Sequence, residues 1–362
     1  MGLLFTTSTL FSQSYYAHDF RDYNTTYKFN TILDIKSDNL PIDFFDTNWK
    51  DYDKRKKDNS AFGVASTSLS MKLDYFTLGL FGQKISDIYM NNGLVETLYE
   101  SDKSFANILQ NSSIYENLDD GPIKGKANDF DSVGIFLEKK IHFAKYYYVM
   151  AKLKLHYAKN LNYININGEA TNKNFVATID YYYSGTNYIS NAKNVSNEAW
   201  GYGYSLDLSY IYHRDKIYFF VGAYNLESFI YWKNVAFMHY DLDSKTIYKG
   251  SDGYNHYKPF GVGYYQYNVT YKQRISSYFK TSVNYDFMSH LAFGDNISIY
   301  DRMSYNEIYT NLKIASSRYK LGYIVENSNL IFGFYYRKFL FEISRGFERS
   351  NKILQFKCEI SY

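Results

Sequence analysis

The last nine residues of the chain, LQFKCEISY, alternate between apolar and polar side chains. Leu354, Phe356, Cys358, Ile360 and Tyr362 are apolar or aromatic, and the residues between them are polar. Because successive side chains of a β-strand point to opposite faces, this period of two predicts a strand with one apolar face. Chain ends usually fray unless they are tied down, so we expect this terminal strand to be paired.

Longer segments repeat the same alternation. YYVMAKLKLHY (147–157) and WGYGYSLDLSYIY (200–212) each place apolar side chains on one face, and shorter runs follow at 65–73 and 265–272. Strands of soluble sandwiches are usually about five or six residues long, whereas membrane-spanning strands need ~9–11. Aromatic residues lie near the ends of the two long stripes, at Tyr147, Tyr157, Trp200 and Tyr212, as the aromatic girdles of a membrane barrel would.

The connections alternate between short and long. We predict tight turns at Asp74-Tyr75 and at 142–145, 213–216, 276–278, 316–318 and 336–338, and longer polar stretches at 86–129, 159–198, 225–260 and 288–304. Outer-membrane barrels have short periplasmic turns and longer extracellular loops. Six turns define about 12 strands, and a strand near 27–35 plus the terminal one makes about 14. Runs at 163–167 and 175–183 form either an extracellular hairpin or two more membrane strands, so the expected range is 12–16.

These patterns predict an all-β fold, a single transmembrane antiparallel β-barrel. Residues 1–14 are a possible clipped signal segment, 15–26 an N-terminal periplasmic or lumenal segment, and 27–362 the barrel. An unpaired strand edge in hydrocarbon costs several kcal/mol for each unsatisfied backbone group, so the last strand must close the cylinder against the first. Phe356, Ile360 and Tyr362 are the closure residues that this predicts.

Composition supports strands and excludes two other classes. Aromatic residues make up 20% of the chain, with 43 Tyr and only 3 Pro, and this composition is typical of β-strands. No apolar run approaches the ~18 residues of a spanning helix, and the mean hydropathy is −0.43, so a helical membrane protein is excluded. The net charge of +3 has no single-sign block, so we expect no nucleic-acid partner. The one cysteine, Cys358, reads as a small hydrophobe in the last strand.

No catalytic or metal-binding motif stands out. The seven histidines lie far apart without a recognisable partner spacing, and the acidic segments 117–122 and 241–253 do not match a calcium-loop register. The pairs Gly201-x-Gly203 and Gly261-x-Gly263 lie in strand patterns and indicate close approach or curvature in a sheet. We expect no enzyme activity, no cofactor and no metal.

The face opposite the apolar stripes carries the candidate functional residues. The lumen-facing candidates are Lys152, Lys154, His156, Glu138, Lys140, Asp207, Lys272 and Arg274. One interpretation is a polar conduit with a cationic bias, in which the ladder of Lys152, Lys154 and His156 favours anions. The other is a lattice of ion pairs that fills the interior. Glu138 and Asp207 are the expected partners of the lysines in that second case.

The aromatic terminus resembles the closing strand of bacterial outer-membrane β-barrel proteins, whose final aromatic residue is part of the signal read by the barrel assembly machinery. About 14 strands after an N-terminal segment also resemble the long-chain fatty acid transporter family, in which the N-terminus forms a plug. The Asn-Pro-Ala motif of that family is missing, since DYNTTYKFN stands there.

The resemblance implies export to the outer membrane of a Gram-negative bacterium, with outer-membrane lipid and the assembly machinery as partners. It also implies a transport channel for small solutes or hydrophobic molecules of unknown identity. The alternative is a non-enzymatic surface protein that uses long extracellular loops for adhesion or recognition. A membrane-embedded hydrolase is a third and weaker interpretation.

Overall fold

The computed structural model describes residues 27–38, 58–73, 76–100, 119–171, 174–184, 199–300, 302–326, 329–336, 339–345 and 353–361. The proposed signal and N-terminal segments, 1–26, and the closure residue Tyr362 lie outside these ranges. The strands in the first part of the chain are β1 (Tyr27–Asp38), β2 (Asp58–Lys72), β3 (Thr77–Asn91), β4 (Gly121–Ala144), β5 (Tyr147–Thr171), β6 (Asn174–Tyr183), β7 (Trp200–Arg214), β8 (Ile217–Tyr224) and β9 (Ser228–Asp243).

The remaining strands are β10 (Ile247–Lys249), β11 (Asn255–Tyr257), β12 (Gly261–Arg274), β13 (Tyr278–Met288), β14 (Leu291–Tyr300), β15 (Met303–Ile314), β16 (Ser317–Ile324), β17 (Asn329–Tyr336), β18 (Phe339–Arg345) and β19 (Ile353–Ser361). One helix, α1 (Asn92–Glu100), follows β3. No helix in the described ranges is long and apolar enough to cross a membrane.

Seventeen of the strands pair in one sheet, and the sheet closes on itself. The ring of neighbours runs β1-β2-β3-β4-β5-β7-β8-β13-β14-β15-β16-β17-β18-β19 and returns to β1. At the seam, Phe29 lies opposite Ile360 and Leu33 opposite Phe356. Closure by the terminal strand is therefore confirmed, and it satisfies the backbone groups that an open edge would leave unpaired.

Three positions around the ring hold two strands in series. Along its length, β7 pairs first with β9 and then with β8. On their other side, β9 pairs with β12 and β8 pairs with β13. The segments β8/β9 and β12/β13 are therefore each one interrupted strand. The third position is shared by β6 and β7. Beyond the first residue of β7, β6 pairs with β5 on one side and with β9 on the other. The ring therefore has fourteen positions, which confirms the prediction of about 14. The run 175–183 belongs to a hairpin that extends β5, not to a further membrane strand.

The interruptions in β8/β9 and β12/β13 face each other. Asn225, with φ of 53°, donates its side-chain amide to the Ser276 carbonyl oxygen at 3.2 Å, and the Ser228 hydroxyl donates to the Ile275 carbonyl oxygen at 3.0 Å. The predicted tight turn at 276–278 is therefore wrong. The Ser-Ser pair there marks a break inside one strand, and the chain reverses at Ser289-His290 instead. For the same reason the predicted long stretch 288–304 contains β14.

The other predicted turns hold where they are described. Chain reversals at 145–146, 215–216 and 315–316 lie within or next to the predicted segments, and a Leu73 N–H to Phe76 carbonyl hydrogen bond of 2.8 Å closes the first turn. Residues 74–75 and 337–338 themselves are outside the described ranges. We call this end of the barrel the turn end, and the opposite end the loop end. Helix α1 (Asn92–Glu100) and the connection 244–260 lie at the loop end.

The outer wall carries an apolar band between two aromatic rows. On β5 the outward residues Leu153 and Leu155 are 42% and 48% exposed, and Tyr147 and Tyr157 lie at the ends of the same face. Ten residues at ~3.3 Å each span ~33 Å along a tilted strand, which suits the ~25 Å apolar band of outer-membrane barrels. The closed antiparallel ring with this band is the architecture of an outer-membrane β-barrel.

Beyond the apolar band, the upper parts of β5, β6 and β9 form an extension at the loop end. Its buried side chains pack with Leu94 and Val95 of α1 and with Ile123 of β4 in a separate hydrophobic core. Tyr181 and Tyr183 of β6 are fully buried there and stack at 4.7 Å between ring centroids. The extension is therefore a packed structure and not only a set of loops.

Candidate functional site in the barrel interior

A small chamber of about 70 Å³ lies inside the barrel. Its wall contains six aromatic rings and five charged groups, contributed by strands at nine of the fourteen ring positions. The aromatic residues are Phe62, Phe81, Phe136, Tyr224, Tyr278 and Tyr300, and the charged residues are Asp34, Lys152, Lys154, Asp207 and Lys280. Ligand sites typically combine apolar wall groups with a few placed polar groups, and the lining of this chamber contains both kinds of group.

Glycines let the aromatic rings lie flat on the wall. A Cβ atom at Gly79 would come within 2.3 Å of the Phe136 ring, and one at Gly134 within 2.9 Å of the Phe81 ring. The absence of a side chain at these two positions therefore keeps both rings out of the centre of the chamber. The predicted close approach at Gly201 and Gly203 is also present, because Cβ atoms there would collide with β9.

The two chamber lysines of β5 are both paired. Lys152 Nζ lies 2.6 Å from a Glu138 oxygen, and Lys154 Nζ lies 2.7 Å from an Asp207 oxygen. Lys152 lies directly opposite Glu138 on β4, whereas Lys154 reaches Asp207 on β7 diagonally, from two residues beyond the position opposite it. The partners named from the sequence are the ones present. Their charges neutralise the ladder, so the basis for a strong anion preference is removed.

His156, the third member of the ladder, does not act as a free cation in the chamber. It is 4% exposed and lies between two serine hydroxyls, with Nδ1 3.2 Å from Ser132 Oγ and Nε2 2.9 Å from Ser205 Oγ. The edge of its ring meets Phe81 at 5.1 Å between centroids. These serine partners come from the flanking strands and could not be found by spacing along the chain. Burial leaves the cluster without access for a substrate, so it is a structural contact.

A second charged network centres on Asp34 of β1. Its carboxylate lies 3.6 Å from Lys36 Nζ and 3.1 Å from Lys280 Nζ, and it accepts hydrogen bonds from the Tyr300 hydroxyl at 2.8 Å and from Gln355 Nε2 at 3.1 Å. Because Gln355 lies on β19, this network also ties the closing seam together. The sequence-based candidates did not include Asp34 or Lys36. The alternation of apolar and polar residues in ILDIKSD (32–38) places the side chains of Asp34 and Lys36 on the same, polar face of the strand.

The opposite half of the interior is filled. Lys320 of β16 is 0% exposed and forms ion pairs with Glu307 and, at 3.1 Å, with Glu342. Tyr335 donates a further hydrogen bond of 3.2 Å to Glu342. The two interpretations of the interior therefore apply to different halves, with an ion-pair lattice along β15–β19 and a chamber along β1–β8 and β13–β14.

Aromatic layers lie above and below the chamber. Towards the loop end, the buried Trp232 donates its indole N–H to Gln273 Oε1 at 2.7 Å, and Gln273 also bonds Asn128. Towards the turn end, Ile211, Tyr218, Phe220 and Tyr224 form a small buried cluster.

Two lumen-facing predictions are wrong. Lys272 and Arg274 are exposed on the outer wall, and Gln273 between them points inward. The cause is a bulge at Asn268, which has φ of 57° and adds one residue to β12 relative to β9. An extra residue reverses which side chains face inward along the rest of the strand. The alternation counted before Asn268 therefore assigns the residues after it to the wrong face.

Lys140 lies near the turn end, with Nζ 4.2 Å from the centre of the Tyr148 ring, and does not line the chamber.

Within the described part of the chain, no group of three or more His, Cys, Asp and Glu side chains is arranged to hold a metal ion. In the part of the chain that the structure describes, His156 contacts serine hydroxyls in the interior, and that contact is buried. The chamber itself contains lysine–carboxylate pairs and aromatic rings, which suit binding of a solute.

Comparison with known proteins gives a fold likeness only. No protein-family model matches the chain, and no curated protein matches it. Among solved structures, a deltaS2S3 mutant of the TodX monoaromatic hydrocarbon channel is similar at 12% identity and a TM-score of 0.46, over 93% of this chain and 90% of that chain. A FadL homologue of Pseudomonas aeruginosa is similar at 8% identity and a TM-score of 0.35, over 93% and 87%.

The outer-membrane protease OmpT of Escherichia coli is also similar, at 10% identity and a TM-score of 0.22, over 93% and 94%. A channel and a protease thus share this likeness. At these identities and TM-scores, the similarities do not identify the activity or cargo of this chain.

Proposed function

We propose that the protein is an outer-membrane transport channel whose cargo is a small, uncharged or internally compensated molecule with an apolar or aromatic part. The side chains that line the chamber support this proposal. Six aromatic rings offer apolar contact, and the charged groups among them are already paired at 2.6–3.1 Å. A solute with net charge would have to compete with these pairs, whereas a neutral one can use the rings and hydrogen-bond at the margins.

Swelling of liposomes that contain the purified protein tests this function. The solutes are a neutral aromatic glycoside with one ring and one sugar, sucrose, and a benzoate salt, each at equal osmolarity. The proposal predicts the fastest swelling with the aromatic glycoside. Equal rates with all three would indicate an unselective pore, and no swelling with any of them would exclude a channel.

A second candidate is a surface protein that binds partners through the loop end. The observation that favours it is the packed extension together with the β10–β11 hairpin beside it, whose neighbouring Tyr254 and Tyr257 are 74% and 77% exposed. Cells that adhere only when residues 247–257 are intact, combined with liposomes that do not swell, would favour this function over transport.

A further inference from the structure

Three basic side chains lie together on the outer wall of the barrel. Lys233 of β9 and Lys272 and Arg274 of β12 are exposed, on the face opposite the lumen. In the register, Lys233 lies opposite Trp200, Lys272 opposite Tyr231, and Arg274 opposite Phe229. The cations therefore sit among aromatic side chains on adjacent strands. We call Lys233, Lys272 and Arg274 the basic patch.

The basic patch differs from the chamber lysines in the groups that it contacts. None of its members forms an ion pair with the residues that the structure describes, in contrast to Lys152 and Lys154 inside the barrel. Instead, Lys272 Nζ lies 3.8 Å from the centre of the Phe229 ring, and Lys233 Nζ lies 5.2 Å from the centre of the Trp200 ring. The rings hold the ammonium groups in place without neutralising them.

The basic patch lies at the loop-end border of the apolar band. Trp200 stacks on Tyr157 at 6.3 Å between centroids, and both belong to the aromatic row at that border. In the register, Lys233 lies opposite Trp200 itself, and Lys272 and Arg274 lie opposite Tyr231 and Phe229, which are two and four residues from Lys233 on β9 towards the turn end. This is the depth at which lipid headgroups of the outer leaflet meet the barrel wall. A cation there is stabilised by a lipid phosphate.

We propose that the basic patch binds the phosphate of a phosphorylated outer-leaflet lipid. Lys272 and Arg274 are two residues apart on one strand face, ~7 Å along the strand, and Lys233 lies on the next strand, so three cationic groups can converge on one headgroup. The guanidinium can hold a phosphate with two parallel hydrogen bonds. The neighbouring rings of Trp200, Tyr202 and Tyr231 cover the upper part of the lipid chains. This site is separate from the chamber and does not depend on the proposed transport.

Native mass spectrometry of the purified barrel tests the site. The protein is reconstituted in nanodiscs of phosphatidylcholine with either diphosphorylated lipid A or the same glycolipid without phosphates, and then released for measurement. The variant Lys233→Gln/Lys272→Gln/Arg274→Gln removes the patch. Its charge-matched control, Lys145→Gln/Lys216→Gln/Lys313→Gln, removes three exposed lysines at the turn end. Heat-modifiable gel mobility shows that each variant is folded, and the single variant Lys272→Gln replaces the triple one if that fails.

We expect the natural protein and the control to retain one lipid A molecule, and the patch variant to retain it at least tenfold less. The phosphate-free glycolipid should be retained no better by the natural protein than by the patch variant. Equal retention of lipid A by all three proteins would overturn the proposal. So would full displacement of lipid A by 100-fold excess inorganic phosphate, because that result would describe a site for the free anion.

Discussion

The ammonium of Lys154 lies 2.7 Å from one carboxylate oxygen of Asp207 inside the barrel, while the other oxygen accepts the backbone N–H of Asn225 at 3.0 Å. One buried side chain thus neutralises a chamber lysine and also caps the interruption between β8 and β9. Chamber charge and the shape of the wall are therefore coupled at Asp207.

This coupling gives the first prediction. Asp207→Ala leaves both a half-buried ammonium and a backbone N–H without a partner, and we expect it to lower the free energy of unfolding by at most the ~3–5 kcal/mol of a broken fully buried pair. The double variant Lys154→Met/Asp207→Leu removes the ion pair as a unit, so only the unsatisfied N–H remains, at ~1–3 kcal/mol. Urea unfolding in lipid vesicles measures both. A double variant as unstable as the single one would show that the ion pair is not the main loss.

The second prediction concerns the seam of the barrel. Thr31 of β1 lies directly opposite Cys358 of β19, and directly opposed residues of antiparallel strands are ~4.5–5.5 Å apart at Cα, within disulfide range. Thr31→Cys should form a disulfide with the native Cys358 under mild oxidation, seen as faster migration of the denatured, non-reduced protein. Ile32→Cys is the control, because residue 32 lies opposite Lys357 and points to the other face. Cross-linking by Ile32→Cys and not by Thr31→Cys would indicate a seam shifted by one residue.

A third prediction uses the glycine contact at the chamber wall. Gly79→Ala pushes the Phe136 ring away from β3 and into the chamber, so swelling with the aromatic glycoside should slow, with a stability cost of ~1–3 kcal/mol for overpacking. Gly82→Ala is the matched control on the same strand, where the nearest atom to a new Cβ is 3.9 Å away. Equal swelling rates in the two variants would mean that Phe136 does not border the path.

The extension supplies a pH-dependent prediction. The side-chain hydrogen bond from His239 to Asp180, at 2.7 Å, raises the pKa of His239, and Asp241 adds to this effect. A raised folded-state pKa means that the contact contributes fully below about pH 6.5 and is lost as the pH rises through the folded pKa. Hydrogen exchange of β6 and β9, corrected for intrinsic rates, should show greater protection at pH 6 than at pH 8. The Asp180→Asn variant should lose most of that difference, and an unchanged difference would assign it to another group.

The sequence predicts the ring of strands well because membrane strands must alternate along their whole length. The alternation in WGYGYSLDLSYIY and LQFKCEISY fixes which residues face the lipid, and β7 and β19 follow it. The number of ring positions was therefore accessible. One misplaced turn does not change this number. The turn predicted at 276–278 is a break within a strand, but the chain reverses once nearby, at 289–290, so the count of reversals is the same.

The errors arise where an extra residue changes the phase. Asn160, Asn234 and Asn268 lie in β5, β9 and β12 with φ near 58°, a conformation that asparagine adopts more readily than most residues. Register shifts accompany them, and the shift at Asn268 moved Lys272 and Arg274 to the outer wall. Asparagine within an aromatic strand pattern is a weak signal of such a bulge. The contacts of Asp34 with Lys280 and Tyr300 could not be predicted, because they join strands far apart in the chain.

Chemical blockade of the chamber tests the central claim, that solutes pass through this space, most directly. Ser68 lines the chamber, and its neighbour Thr67 points to the opposite face of β2. In a Cys358→Ser background, Ser68→Cys and Thr67→Cys are each treated with a bulky maleimide, and swelling with the aromatic glycoside is measured. We expect modification at residue 68 to reduce swelling to the rate of protein-free liposomes and modification at residue 67 to leave the swelling rate unchanged. Full swelling after complete modification of residue 68 would contradict the central claim.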